Sequence, residues 1–248
     1  MMLICSAYIY LLHTDHYILL LLLTAGIGLS IGLKKLTIAA AFSGGVIAFL
    51  LFQGAGLTGV SLLAGFFIPA VMATSWHRKM KETMRGAERK RGRDAGQVVA
   101  NGGLAALAGA FAWMYPSLAV VFHLIIAAAF SSAAADTISS ELGTVYGKRF
   151  FNILSLKKDE RGLNGVVSYE GLLFGLGASA IIALIYVLGF GWSPAFFWII
   201  IAGTVGNLAD SVLGASLERR GMLGNNAVNF LNTMCGAAIC VILHFLFP

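Results

Sequence analysis

Two stretches of the sequence place carboxylates where a long apolar run ends. The first, ADTISSELG at residues 135–143, contains Asp136 and Glu141, and the second, GNLADSVLG at residues 206–214, contains Asp210. Carboxylates inside membrane helices are costly and are usually functional. Their oxygens suit Mg²⁺ or Mn²⁺, which bind one or two carboxylates together with substrate phosphates. We therefore predict one metal and polyanion site, with Asp136, Glu141 and Asp210 as the metal ligands.

Amide, hydroxyl and further acidic side chains recur at helical spacing near these stretches. Positions three, four and seven apart lie on one face of an α-helix, so such residues point in a common direction. We expect the following residues to bind the nucleotide beside the acids: Asp94, Asn101, Asn207, Ser211 and Asn229. The alternative for the asparagines is a structural one, because amides in membrane helices often only bridge neighbouring helices.

Basic side chains follow the first acidic stretch. Lys157 and Lys158 are placed to neutralise transferring phosphates and are assigned a catalytic role, and Arg161 is assigned to the nucleotide. The same link contains GLNGVVS, residues 162–168, a turn that leads into the next helix. We expect Asn164 and the free N–H groups of this turn to hold a phosphate. A role as topology anchors is the alternative for these basic residues.

The elements that position these residues are membrane helices. The 248 residues are 58% hydrophobic and only 11% charged, with a mean hydropathy of +0.85, which is too apolar for a soluble globule. We predict an all-α polytopic membrane helix bundle, a single domain over residues 1–248 with a short interfacial lead-in at residues 1–15. Runs of about twenty apolar residues predict eight spans: His16–Leu33, Leu36–Phe52, Leu57–Trp76, Asp94–Met114, Ser117–Gly143, Val166–Phe190, Pro194–Leu217 and Asn226–Phe247.

The distribution of basic residues predicts the topology. All 17 Lys and Arg residues fall in alternate links between spans: two after the first span, eight after the third, five after the fifth and two after the seventh. The positive-inside rule assigns such links to the cytoplasm. We therefore predict a multi-pass protein of the cell membrane with a cytoplasmic active site and both termini outside. We expect no removable signal peptide, because no basic segment precedes the first apolar run.

The sequence also argues against several other classes of site. The three cysteines lack metal-ligand spacing, and no histidine has a partner at such spacing. No GxxxxGK[ST] motif is present, so a Walker-type phosphate loop is not expected. The formal charge of +6 does not indicate nucleic acid, because the basic residues lie between membrane spans.

Four ordered motifs resemble a known membrane family. GRDAGQVVANGG, ADTISSELG, GLNGVVS and GNLADSVLGASLERR together resemble the integral membrane proteins that include phytyl-phosphate kinase of plastids and transmembrane protein nineteen. More distantly, the helix-end aspartates and the basic loop are similar to dolichol and phytol kinases and to CDP-diacylglycerol synthases, which use CTP. The resemblance implies a kinase that uses CTP or another nucleoside triphosphate to convert a prenyl-type lipid monophosphate to the diphosphate.

The residues and the resemblance together leave three hypotheses. The first is the lipid-phosphate kinase, in which Asp136, Asp210, Lys157 and Lys158 carry the catalysis and Mg²⁺ is required. The second is a CDP-lipid-forming cytidylyltransferase with the same phosphate-binding residues, and the third is a lipid or ion transporter. The partners expected for the kinase are a prenyl-type lipid phosphate, a nucleotide and the lipid bilayer, and the sequence also allows a homodimer.

Overall fold

The computed structural model describes residues 2–85 and 92–247 of the chain. These residues form eight α-helices and one small β-hairpin: α1 Met2–Gly32, α2 Ile38–Ser75, α3 Arg78–Arg85, α4 Ala95–Met114, α5 Ala119–Tyr146, β1 Phe150–Asn152, β2 Val166–Ser168, α6 Tyr169–Phe190, α7 Ala195–Leu213 and α8 Asn225–Leu246. A short 3₁₀ turn, Pro116–Leu118, precedes α5, and a π-helical turn, Gly214–Glu218, extends α7. The predicted all-α polytopic membrane bundle is confirmed.

Six helices of the described chain are long and apolar enough to cross a membrane: α2, α4, α5, α6, α7 and α8. The part of α1 from Tyr17 to Gly32 is a shorter apolar helix. Helix α2 is broken at Gly56 and contains two crossing segments. With these two segments and with α1, the helices correspond to the eight predicted spans. Helix α3 is short and basic, and lies within the second basic link.

Helix α2 reverses direction at Gly56, where φ is +59° and ψ is −152°, a conformation that glycine adopts without a Cβ clash. A straight helix of 38 residues would extend about 57 Å. Yet Lys35 Nζ, just before α2, donates to Ser75 Oγ at its far end over 2.7 Å. The ring of His123 lies 2.8 Å from the carbonyl oxygen of Gly54, beside the break. Each half is about 28 Å long, close to the thickness of the hydrocarbon core.

Helix α5 occupies the centre of the bundle and packs against α2, α4, α6, α7 and α8. Small residues allow these close approaches, and the runs Ala127–Ala129 and Ala133–Ala135 are buried completely or nearly so. The 28 residues of α5 extend about 42 Å, which exceeds a hydrocarbon core of about 30 Å. The acidic stretch at residues 135–143 lies in the last turns of this helix.

The structure changes the predicted boundaries at three places. Helix α1 begins at Met2, so residues 2–15 belong to the same helix as the first span; they contain neither Gly nor Pro, which would interrupt a helix, and their interfacial position stays a prediction. The predicted sixth span begins with β2, and α6 starts only at Tyr169, where the Ser168 hydroxyl caps the Gly171 N–H over 3.1 Å. The seventh span ends in the π-helical turn.

The four basic links lie at one end of the bundle. Contacts join each link to the next: Arg93 N–H with Lys35 O at 2.9 Å, Trp76 Nε1 with Tyr146 Oη at 2.8 Å, and Arg219 with Asp159 at 2.9 Å. Arg89, Lys90 and Arg91 of the second link lie outside the described residues. The assignment of this end to the cytoplasm stays a prediction.

Candidate active site

A polar cavity of about 300 Å³ opens at the basic end of the bundle. The last turns of α5 and α7, the π-helical turn, the start of α8 and the β-hairpin all contribute to its walls. Four carboxylate residues line it: Asp136, Glu141, Asp210 and Glu218. Three amides, Asn164, Asn207 and Asn225, lie among them. A cavity with this lining suits a polyanion bound with a cation better than an apolar ligand.

Asp136 of α5 and Asp210 of α7 are in hydrogen-bond contact with each other in this cavity, and are called here the acid pair. The side-chain amide of Asn232 on α8 donates to Asp210 Oδ1 over 2.8 Å. Asn232 itself is fully buried, and its Oδ1 atom has no partner within the described residues. Two ionised carboxylates in contact repel each other, so the pair requires a cation or a shared proton between its members.

Close packing of α5 against α7 brings the acid pair together. Ser131 Oγ donates to the carbonyl oxygen of Ile199 over 2.9 Å, and Ser132 Oγ donates to that of Ala202 over 3.3 Å. At Gly206 of α7, an added Cβ would collide with the Ser132 hydroxyl, so glycine permits this approach. Side chain to backbone hydrogen bonds of this kind tie membrane helices together. Asp136 and Asp210 each lie one turn further along, four residues after Ser132 and Gly206, so this contact places the two acids at one depth.

Glu141, the third predicted metal ligand, forms a buried ion pair with Lys81 of α3 at 2.5 Å. Within the described residues, no group of three or more His, Cys, Asp or Glu side chains is arranged to hold a metal ion. A magnesium ion bound through two carboxylates and substrate phosphates does not need such a group. The assignment of Asp136, Glu141 and Asp210 as metal ligands stays a prediction, with Glu141 paired to Lys81 in this structure.

The β-hairpin closes one side of the cavity. Strands β1 and β2 are antiparallel, and Phe150 pairs with Ser168. The turn at residues 162–165 packs against the π-helical turn, where a Cβ on Gly165 would lie only 2.6 Å from Ala215 Cα. Gly165 also has φ +72°, so both its space and its backbone conformation require glycine. The π-helical turn that Gly165 contacts belongs to a class of wide helical turns that occur frequently at functional sites.

Arg219 ties the hairpin to the end of α7. Its Nε donates to the carbonyl oxygen of Asn164 over 2.6 Å, and its Nη2 donates to Asp159 Oδ2 over 2.9 Å. The backbone N–H of Glu160, together with Arg219 and the Asn152 amide, holds the pKa of Asp159 below its usual value. Because the pKa is lowered in the folded protein, this tie is complete at neutral pH and is lost only as the pH falls through the lowered value.

Replacing Arg219 with glutamine is expected to speed hydrogen exchange of the β1 and β2 amides about tenfold at pH 7. The neighbouring Arg220 is exposed, so Arg220→Gln is the matched control and should leave exchange unchanged. The difference between the wild type and Arg219→Gln should shrink in acid, once Asp159 is protonated. Equal exchange in the two variants at neutral pH would show that Arg219 does not hold the hairpin.

The structure brings six of the predicted site residues together around the cavity: Asp136, Glu141, Asn164, Asn207, Asp210 and Ser211. Asn229 does not line it, but lies on α8 between Asn225, which does, and Asn232. Lys157 and Lys158 are exposed in the hairpin and do not line the cavity. The Arg161 guanidinium lies 5.3 Å from the ring of Phe150, a cavity residue, and donates to the Val145 carbonyl oxygen.

Asp94 and Asn101 have local roles on α4 and do not line the cavity. Asp94 is the N-cap of α4 and forms a reciprocal capping box with Gln97, with its Oδ1 accepting from the Gln97 N–H over 2.9 Å. Asn101 is buried and donates to the Gln97 carbonyl oxygen in the preceding turn. Gly96 of α4 lies against Asn226 of α8, next to the cavity residue Asn225.

The sequence prediction assigns no role to four residues of the site: Lys81, Glu218, Asn225 and Asn232. Glu218 lines the cavity and forms a side-chain hydrogen bond with Asn164. Its position, two turns after Asp210, is a usable signal. Lys81 gives no such signal, since it lies in a run of basic residues typical of a topology anchor.

Comparison with known proteins agrees with this architecture. The family described as integral membrane protein DUF92 matches residues 20–237, most of the chain. The chain belongs to the DUF92 family of integral membrane proteins. The match to DUF92 includes the whole cavity lining, from Asp136 to Asn225. No solved structure matches the chain.

Three relatives extend this assignment. Protein VTE6, chloroplastic, of Arabidopsis thaliana is 31% identical over 221 residues, which are 86% of this chain and 66% of the plant protein's length. An uncharacterized membrane protein of Methanocaldococcus jannaschii is 30% identical over 205 residues, 80% of this chain and 82% of the archaeal protein. An uncharacterized membrane protein of Synechocystis is 32% identical over 203 residues, 79% of this chain and 78% of the relative.

Proposed function

We propose that this DUF92 protein is a kinase that transfers the terminal phosphoryl group of a nucleoside triphosphate to a prenyl-type lipid monophosphate. CTP is the expected donor, and Mg²⁺ is required. The observation that carries the proposal is the contact between Asp136 and Asp210, two carboxylates from separate helices, in a polar cavity at the end of the membrane spans. The resemblance of the four sequence motifs to lipid-phosphate kinases supports the substrate class.

The acid pair has the donor chemistry that Mg²⁺ requires. Two carboxylates in contact need a positive charge or a proton between them, and Mg²⁺ typically uses one or two carboxylates plus phosphate oxygens. When bound, the ion would neutralise and align the phosphates of the two substrates. Asp136 and Asp210 would hold the ion, and the Asn232 amide would keep Asp210 in one orientation.

A lipid monophosphate is an acceptor that needs no general base. Among the described residues that line the cavity, the carboxylates are the candidates to accept a proton, and in this proposal two of them are used to hold the metal. A lipid monophosphate is already an anion at neutral pH, so its oxygen can attack the terminal phosphorus without losing a proton to the protein. The bond from that phosphorus to the nucleoside diphosphate breaks as the new phosphorus–oxygen bond forms.

The hairpin and the basic link would contact the nucleotide. The turn at residues 162–165 and the Asn164 amide border the cavity, where they can meet phosphate oxygens. Lys157 and Lys158 are exposed on the same hairpin and would act by long-range attraction of the triphosphate, unless binding moves the hairpin inward. The lipid tail would remain among the apolar spans, because the acid pair lies at their end.

Labelled CTP tests the reaction. Purified protein in vesicles with phytyl monophosphate, Mg²⁺ and CTP labelled on the terminal phosphate is expected to give labelled lipid diphosphate, and removal of Mg²⁺ with a chelator should abolish it. Label entering the lipid only from the α-phosphate would instead establish the cytidylyltransferase. Lipid or ion movement that needs no nucleotide would establish the transporter, and either result would refute the kinase.

A further inference from the structure

Lys81 holds a buried positive charge beside the cavity. Its side chain is only 2% exposed, and its ammonium group contacts Glu141 at 2.5 Å. It also donates to the carbonyl oxygens of Ala73 and Thr74, over 2.8 and 3.1 Å. These two carbonyls lie at the end of α2, where few backbone N–H groups remain to pair with them; the Ala73 carbonyl oxygen also accepts from the Trp76 N–H over 3.2 Å. The three N–H donors of Lys81 therefore all have acceptors, and they connect α3, α2 and α5.

Glu141 connects this ammonium group to the acid pair. Its side chain is nearly completely buried, yet the residue lines the cavity that contains Asp136 and Asp210. Asp136 and Glu141 are five residues apart on α5 and interact electrostatically. Without a compensating cation, Glu141 would be the fourth carboxylate facing one small space, and the four would together attract divalent ions strongly.

A buried ion pair is a poor way to gain stability, because removing two charges from water costs about as much as their attraction returns. Apolar side chains would join α3 to the bundle at lower cost. Retention of Lys81 and Glu141 as a charged pair in this position therefore points to a role in the electrostatics of the cavity.

We propose that Lys81 is a specificity-determining residue for the metal: it neutralises Glu141, so that the cavity presents three of its four carboxylates to a divalent cation. This inference rests on the proposed function. The acid pair suits Mg²⁺, which takes one or two carboxylates and its remaining ligands from phosphates and water, whereas Ca²⁺ takes six to eight oxygens and gains more from each additional carboxylate. Lys81 thus keeps the affinity of the nucleotide-free cavity for divalent cations low until a bound nucleotide adds its phosphate oxygens.

Mn²⁺ binding to the full chain in detergent, without nucleotide, tests the inference by electron paramagnetic resonance. Four proteins are compared: the wild type, Lys81→Met, Glu141→Gln and the double variant. Lys81→Met should bind Mn²⁺ about tenfold more tightly than the wild type, and Ca²⁺ should displace the Mn²⁺ at about tenfold lower concentration. Glu141→Gln should bind more weakly, because an uncompensated ammonium group then faces the cavity.

The double variant decides between Glu141 as a neutralised group and Glu141 as a direct ligand. Neutralisation predicts that the double variant binds Mn²⁺ as the wild type does, since both charges are gone. Weak binding in the double variant, equal to that of Glu141→Gln, would overturn the inference even if Lys81→Met does not fold. Unchanged affinity in a folded Lys81→Met protein would also overturn it and would leave Lys81 as a structural cap of α2.

The same measurement separates this inference from the proposed function. If Asp136→Asn removes the Mn²⁺ signal but the Lys81 series does not follow the predicted order, the metal site stands and only the role of Lys81 fails. If the wild type binds no Mn²⁺, or binds it as well after Asp136→Asn, the metal site fails and the inference fails with it.

Discussion

Replacement of Asp136 or Asp210 with asparagine is expected to lower phosphoryl transfer by at least about a thousandfold while the bundle stays folded. Asparagine keeps the shape of the side chain and removes the charge that would hold the metal. Because the two carboxylates are in contact, removing one charge also relieves repulsion in a partly buried site. The thermal midpoint of each variant without substrates should therefore be unchanged or higher than that of the wild type.

Steady-state rates with a lipid monophosphate and thermal unfolding measure the two parts of this prediction. Glu160→Gln is the matched control, since it makes the same chemical change on an exposed acid at the same end of the bundle. The control should keep wild-type activity. Normal turnover in either aspartate variant would remove that residue from the catalytic site, and lower stability with normal turnover would give it a structural role instead.

The second large effect is expected from Gly165→Ala, with Gly221→Ala as its control. The two glycines have nearly the same positive φ, +72° and +70°. Alanine at either position costs about 1 kcal/mol of backbone strain. Only at Gly165 does the new Cβ also collide with Ala215 of the π-helical turn, because no atom lies within 4 Å at Gly221.

Gly165→Ala should therefore lower kcat/KM about a hundredfold by displacing the hairpin, since a shift of about 1 Å can cost that much. Gly221→Ala should stay close to the wild type. Kinetic assays of both variants measure this, and hydrogen exchange across β1 and β2 reports whether the hairpin has moved. Equal activity losses in the two variants would mean that backbone strain, and not contact with Ala215, explains the effect.

The sequence predicts the spans and the acid pair because each depends on local periodicity. Apolar runs define the helices, and Asp136 and Asp210 stand out because each is a charge inside such a run. The fold-back of α2 can also be predicted, since a mostly apolar segment of 38 residues is longer than one membrane crossing requires. These features need no knowledge of which helix packs against which.

The missed features depend on packing between distant segments. Asn229 and Asn232 are equivalent by spacing, yet only Asn232 reaches Asp210, because the rotation of α8 against α7 decides which one points inward. Lys81 meets Glu141 across sixty residues of sequence. The hairpin strands have three residues each, too short for an alternating pattern, and Val166 and Val167 extend the apolar run of the next helix.

The π-helical turn makes the length of its segment more important than its composition. A π turn contains an additional residue compared with an α-helical turn, so loss of one residue between Asp210 and Glu218 can be absorbed by a return to α-helical winding. Insertion of one residue cannot be absorbed in this way, and it would rotate everything after it by about 100° around the helix axis. Glu218 would then leave the cavity and Arg219 would face away from Asp159, so a single-codon insertion here would be more harmful than a single-codon deletion or most exchanges of side chain.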